Sequence, residues 1–210
     1  MSTINYTAAW VPDDDPHRDW DDAARLAVAW VLEQAGREGA TPLLVTPHQS
    51  QWNAGVESIT WFAGAYPATT PRSGRERAGS GQGPVLVYVP DVDTLQLAVR
   101  YARGSALAVV ETVSTPLIGW AMEAKAINLL TGEVTPDTRS DSQRELLERV
   151  HSYGNNGWTR GFGREQTLRA LRGIYERDGL TKDVILGAMA AKGHNGKAVD
   201  RLGEVLDTLA

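Results

Sequence analysis

The chain has 210 residues, 42% hydrophobic and 22% charged, with a net charge of −5 and no cysteine. That is enough apolar material for one domain, or for one domain plus a small appendage. It excludes disulfide frameworks, thiolate metal sites and cysteine nucleophiles, and it argues against bulk nucleic-acid binding, which needs a basic surface.

No stretch approaches the roughly 20 apolar residues of a membrane span. The polar, acidic start, Met1 to Pro16, has the wrong chemistry for a signal peptide, so the cytoplasm is the expected setting and no membrane partner is expected. Seventeen arginines against four lysines, with abundant alanine and glycine, suggest a GC-rich bacterial genome or its phage. Charge is unevenly spread. Residues 1–47 carry 3 basic and 8 acidic side chains, a net of −5, whereas residues 151–210 carry 9 and 7, a net of +2. The asymmetry leaves room for a local anion site near the C-terminus.

Taken in order, Ile4, Tyr6, Ala8 and Trp10 alternate with Asn5, Thr7 and Ala9, the period of a first strand, which Val11-Pro12 and the run Asp13-Asp14-Asp15-Pro16 terminate. A helix is predicted from about Asp19 to Arg37, with Asp19, Asp21 and Asp22 complementing its dipole and Gly36 and Gly39 marking its end. Leu43-Leu44-Val45 reads as a second strand. Trp52, Val56, Ile59 and Ala63 recur at helical spacing over about 51–63, and Ala68-Thr69-Thr70 reads as a brief strand.

Residues 71–84, with four glycines and three arginines, are expected to form a mobile surface loop. Val85–Val89 and Ala106–Val110 are continuous apolar runs, expected as central parallel strands apolar on both faces. Between them, Asp91 or Asp93 caps a helix that stops at Gly104. A helix follows Thr115-Pro116, then a last strand over 127–130.

From about Asp137 the pattern becomes helical throughout. Leu146, Leu147 and Val150 form one stripe, and Leu168, Leu171 and Ile174 the next. Val184 to Met189, capped by Thr181, forms a third, and Val199 to Leu209 the last. The expected architecture is therefore α/β. A mainly parallel sheet with helices on both faces spans residues 1–136, and a small helical cluster spans 137–210.

In open α/β sheets ligands bind beyond the carboxyl ends of the strands. Three segments fall there. His48-Gln49-Ser50-Gln51-Trp52-Asn53 is dense in polar groups beside a tryptophan; its plainer role is a turn capped by Ser50. In Pro90-Asp91-Val92-Asp93 one aspartate suffices as a helix cap, which leaves the other to face a ligand. Glu111, heading Glu111-Thr112-Val113-Ser114, follows a buried-looking strand directly. His48, Asp91 and Glu111 are thus the candidate acid–base set, with Gln49, Ser50, Trp52, Asn53, Asp93 and Ser114 as candidate ligand contacts. The expected ligand is a small polar or phosphorylated molecule.

The segment from Gly154 to Arg164 combines four glycines with Trp158, Phe162, Arg160 and Arg164 ahead of a helix. It suits an anion through Arg160 and Arg164, or serves as a linker anchored by Trp158 and Phe162. The four histidines have no paired metal-ligand spacing, and no phosphate loop, dinucleotide fingerprint or nucleophile elbow is present, so the cofactor is left unknown, with a divalent ion an alternative to acid–base work for His48, Asp91 and Glu111. The turn Lys192 to Lys197 has helix-turn-helix form, but Asp200, Glu204 and Asp207 on the next helix oppose contact with phosphates. Nucleic acid is not an expected partner. The competing functional class is a non-catalytic interaction module in which the helical part meets a protein, for instance a second copy of the chain.

Overall fold

The computed structural model describes residues 4–72, 83–172 and 180–209. The expected arginine–glycine loop falls largely outside these residues, as does Ile174. The chain divides into two compact units. One comprises Thr3–Thr115 with Ala124–Thr135, and the other Pro116–Glu123 with Pro136–Ala210 and the first two residues.

The first unit is built on a six-stranded, all-parallel sheet of β1 (Thr7–Val11), β2 (Leu43–Val45), β3 (Ala68–Thr69), β4 (Val85–Tyr88), β5 (Ala106–Val110) and β6 (Ile127–Asn128). Its strand order is β3-β2-β4-β5-β1-β6. β4 and β5 lie side by side in the interior, as their unbroken apolar runs require: every residue of both is buried. Register pairs Val85 with Leu107 and Thr7 with Ala106.

Helix α1 (Trp20–Glu38) begins where the aspartates place it. The Asp19 side chain accepts from the Asp21 amide, and the helix ends at Gly39. Its alanine- and valine-rich stripe, Ala23, Ala24, Ala27, Val28 and Val31, packs with Ile59 and Phe62 of α2 (Glu57–Ala65) on one face of the sheet, over Ala9, Val11, Leu44, Leu86, Tyr88, Ala108 and Val110. α3 (Val92–Tyr101) packs along β4 and β2. Its connection runs the opposite way across the sheet, so the right-handed rule assigns it to the other face.

The helix expected over 51–63 is interrupted. A 3-10 turn at Gln49–Asn53 precedes α2, and Gly55 separates them with φ +86°, a conformation that ends one helical path before the next begins.

The second unit gathers α4 (Ile118–Ala124, through Glu123), α5 (Asp141–Tyr153), α6 (Phe162–Leu171), α7 (Lys182–Ala191) and α8 (Gly196–Asp207). Ser140, Thr181 and Asn195 cap α5, α7 and α8 through their side chains. α4 and α7 approach backbone to backbone at Gly119 and Gly187. Arg139, with a side chain only 5% exposed, holds Asp137 at 2.7 Å and Glu123 at 2.5 Å, which ties the entry of α5 to α4. Among the described residues no helix is long and apolar enough to cross a membrane.

Candidate functional site

At the carboxyl edge of the sheet, β1 and β5 are neighbours whose onward paths cross: β1 leads past β5 and β4 to β2, and β5 leads past β1 to β6. In open α/β sheets ligands bind beyond this edge, in the space between strand-end loops. The two loops are braced across it. The Glu111 amide donates to Val11 O at 3.0 Å, and the Asp13 amide donates to Glu111 Oε2 at 2.8 Å. The Val113 amide donates back to Asp13 Oδ2 at 2.7 Å. Each carboxylate thus receives an amide from the opposite loop, a charge-assisted bond that holds both loops in place. Glu111 is 8% exposed.

A cleft lies at this brace. Val11, Pro12, Asp13, Arg18, Trp20, Ala23, Val110 and Glu111 line it, and it encloses about 220 Å³, counted with the solvent at its opening. Most of that space is open solvent, and the part enclosed by protein has room for about one water. The Arg18 guanidinium donates to Pro12 O at 2.6 Å and pairs with Asp14 at 2.6 Å. Trp20 is 42% exposed and stands edge-on to the buried ring of Tyr88, with centroids 6.4 Å apart. Burial pushes the Tyr88 phenol above its usual range, and the carboxylates of Asp21 and Asp19 push it the same way.

Beside the cleft, Val89 carries φ +43° and donates its amide to Val110 O at 3.0 Å. A β-branched residue in the left-handed region is strained, and here the strain sits between the end of β4 and the cap of α3. That cap is Asp91. Its Oδ1 accepts from the Thr94 amide at 2.7 Å and from the Thr94 hydroxyl at 2.6 Å.

His48 lies after β2. Its amide donates to Gln51 Oε1 and its carbonyl accepts from Thr46 Oγ1, both at 3.0 Å. The Trp52 indole donates to the same hydroxyl at 2.8 Å. His48, not Ser50, therefore precedes and caps this turn, because the turn begins two residues earlier than a Ser50 cap would need. His48, Gln49, Ser50 and Asn53 are exposed and Trp52 is half-buried.

β2, β4 and β5 are contiguous, so His48, Asp91 and Glu111 share one edge of the sheet. A strand spacing of about 4.8 Å puts the ends of β2 and β5 roughly 10 Å apart. Glu111 lines the cleft; Asp91 and His48 are engaged within their own loops. Asp93 and Ser114 are exposed on the same edge. Among the described residues no group of three or more His, Asp or Glu is arranged to hold a metal ion.

No family model, curated protein or solved structure matches this chain. The site therefore stands on its own geometry.

Asp13, Arg18 and Trp20 were not among the residues singled out from sequence. A signal was available, since an acidic run directly after a strand marks a strand end as surely as a helix cap does.

In the helical unit, Trp158 is buried with φ +53°, and its indole donates to Thr167 Oγ1 at 3.1 Å. Phe162 is 73% exposed and so does not anchor this segment; it heads α6 with its ring in solvent. Arg160 is exposed, while the Arg164 Nε is buried without a hydrogen-bond partner. Against Trp158 lies His194, with centroids 4.5 Å apart, and His194 Nε2 is 2.8 Å from His151 Nδ1. Desolvation lowers both imidazoles, His194 to about 4. No sequence spacing announces this pair, because its members lie 43 residues apart.

Proposed function

We propose that the sheet unit binds a small polar ligand at the carboxyl edge of its strands, in the crevice between β1 and β5. The observation that carries this reading is the cleft itself. Two neighbouring strand ends are cross-braced by Asp13 and Glu111 beside a half-exposed tryptophan. A brace of this kind keeps polar groups in place before a ligand arrives, which reduces the ordering cost of binding. Of the three residues nominated for acid–base chemistry, Glu111 lines the cleft, so it is the one positioned to meet a bound molecule. A cytoplasmic setting fits a chain with no cysteine.

The interaction-module reading has one observation in its favour, the large exposed ring of Phe162 at the head of α6.

A thermal-shift screen of the full chain against amines, sugars, nucleotides and divalent ions separates the two, because a ligand that binds the native state raises its apparent stability. The strand-end reading expects a hit whose stabilisation is lost in Trp20→Ala and Glu111→Gln and survives in Phe162→Ala. Stabilisation that ignores Trp20 and Glu111 would refute it.

A further inference from the structure

Trp158 is held where its own backbone would not leave it. Its φ of +53° lies in the left-handed region, which disfavours a bulky residue, so its surroundings must retain it. Its indole donates to Thr167 Oγ1 of α6 at 3.1 Å. Its ring lies against Gly154, whose missing side chain makes the room. The preceding residue, Gly157, accepts at its carbonyl from Arg201 of α8 at 3.3 Å. The His194 imidazole covers the ring itself, with centroids 4.5 Å apart. Together these contacts leave Trp158 only 1% exposed.

His194 stands in the turn between α7 and α8, flanked by Gly193, with φ +91°, and by Asn195, which caps α8. Its partner is His151, near the end of α5. The bond between the two rings needs one nitrogen without a proton. A first added proton leaves that condition satisfied, because a cationic ring still donates to a neutral one. A second puts two donors and two positive charges face to face at 2.8 Å. Among the described residues, the other charged groups facing the pair are Glu148 of α5, Lys192 at the end of α7 and Glu123 of α4. Lys192 Nζ donates to Glu148 Oε1 at 2.5 Å and pairs with Glu123 at 3.5 Å, and Glu123 also holds Arg139. Both carboxylates are thus committed to other cations, and Lys192 adds a third positive charge beside the rings.

We infer that the His151–His194 bond is an acid-operated latch within the helical unit: once both rings carry a proton, the turn from Lys192 to Asn195 parts from α5 and uncovers Trp158. The latch is independent of the strand-end reading. Desolvation, with Lys192 acting in the same sense, lowers both imidazoles, His194 to about 4, so the latch is closed at neutral pH and opens as pH falls toward 4. Release also frees Trp158 to leave its left-handed conformation. The movement is confined to the turn, because Val184, Ile185 and Ala188 on α7 and Val199, Leu202 and Leu206 on α8 stay buried whatever the charge of the rings.

The test uses the full chain labelled with nitrogen-15, at pH 7.5 and at pH 4, with a neutral, water-soluble gadolinium chelate as the probe of exposure. The chelate should broaden the Trp158 indole resonance about threefold more at pH 4 than at pH 7.5, while the amides of β4 and β5 stay shielded at both. His194→Gln and His151→Gln each keep a donor and an acceptor at the contact and remove one titrating ring, so in both the indole should stay shielded at pH 4. Circular dichroism at pH 7.5 checks that each variant folds. Equal shielding of Trp158 at the two pH values in the parent chain would overturn the latch. So would an undiminished loss of shielding in both glutamine variants, which would assign the opening to other groups. Loss of the β4 and β5 resonances together with that of Trp158 would show global unfolding in place of a local release, and would overturn it too.

Discussion

His151 Nδ1 and His194 Nε2 stand 2.8 Å apart, which joins the end of α5 to the turn between α7 and α8 by one shared proton. One ring must donate and the other accept, in either of two neutral tautomeric arrangements, and double protonation is opposed. Desolvation lowers His194 from 6.5 to about 4, and the charges of His151 and Lys192 act in the same sense. His151 is lowered by desolvation and by Lys192, with Glu148 and Glu123 opposing. Between pH 6.5 and 4 the unfolded chain therefore binds more protons than the folded one. The contribution is fully present above 6.5 and is lost as pH falls toward 4. Solvent reaches part of the ring and screens it, so the loss at His194 stays below the roughly 1.4 kcal/mol per unit that a fully buried group would show. Urea denaturation at pH 7.5, 6 and 5 should show the decline, and His194→Gln should flatten it. An unchanged slope in that variant would assign the decline to other groups.

Gly154 faces the Trp158 ring so closely that an added Cβ would come within 2.2 Å of it. Gly154→Ala must displace the indole or the helix end, at about 1–3 kcal/mol. Its urea midpoint should fall without a change in slope.

Arg139→Met removes the guanidinium between Asp137 and Glu123 and leaves two carboxylates without their shared cation. The bond from Arg139 holds the Asp137 carboxyl far below its usual range, so this variant should also raise the Asp137 titration. A destabilisation of about 1–3 kcal/mol is expected, because Arg144 still pairs with Asp137 and Lys192 with Glu123. Arg139→Lys should recover part of it, because one ammonium cannot reproduce the two-sided fork. Full recovery would show that geometry is unimportant there.

Glu111→Gln preserves an oxygen for the Asp13 amide, so folding should persist with a loss of about 1 kcal/mol. Glu111→Ala leaves that amide without its acceptor and should cost about 1–3 kcal/mol. Native-state hydrogen exchange reads the difference directly: the Asp13 amide should exchange faster in the alanine variant than in the glutamine one. Equal protection in both would mean that the brace is not what holds the loop.

The helices and strands were legible because their causes are local. Asp19, Asp91 and Thr181 cap where they stand, since a cap bonds an amide two or three residues away. The central position of β4 and β5 followed from the absence of any polar face. The break at Gly55 was less legible, because Trp52, Val56, Ile59 and Ala63 keep helical spacing across it while the backbone does not.

What only the tertiary structure decided is which distant residues meet. The sequence by itself put Glu111 at a strand end and His48 and Asp91 at the same edge. It did not show that β1 would lie beside β5, and that adjacency brings Asp13 to Glu111 across 98 positions. It likewise gave no relation between His151 and His194, which lie 43 positions apart. Caps and periodicity are settled within a turn or two of chain, where few conformers compete. Strand order and the meeting of side chains depend on how all the apolar faces are buried at once, and no short window of residues carries that information.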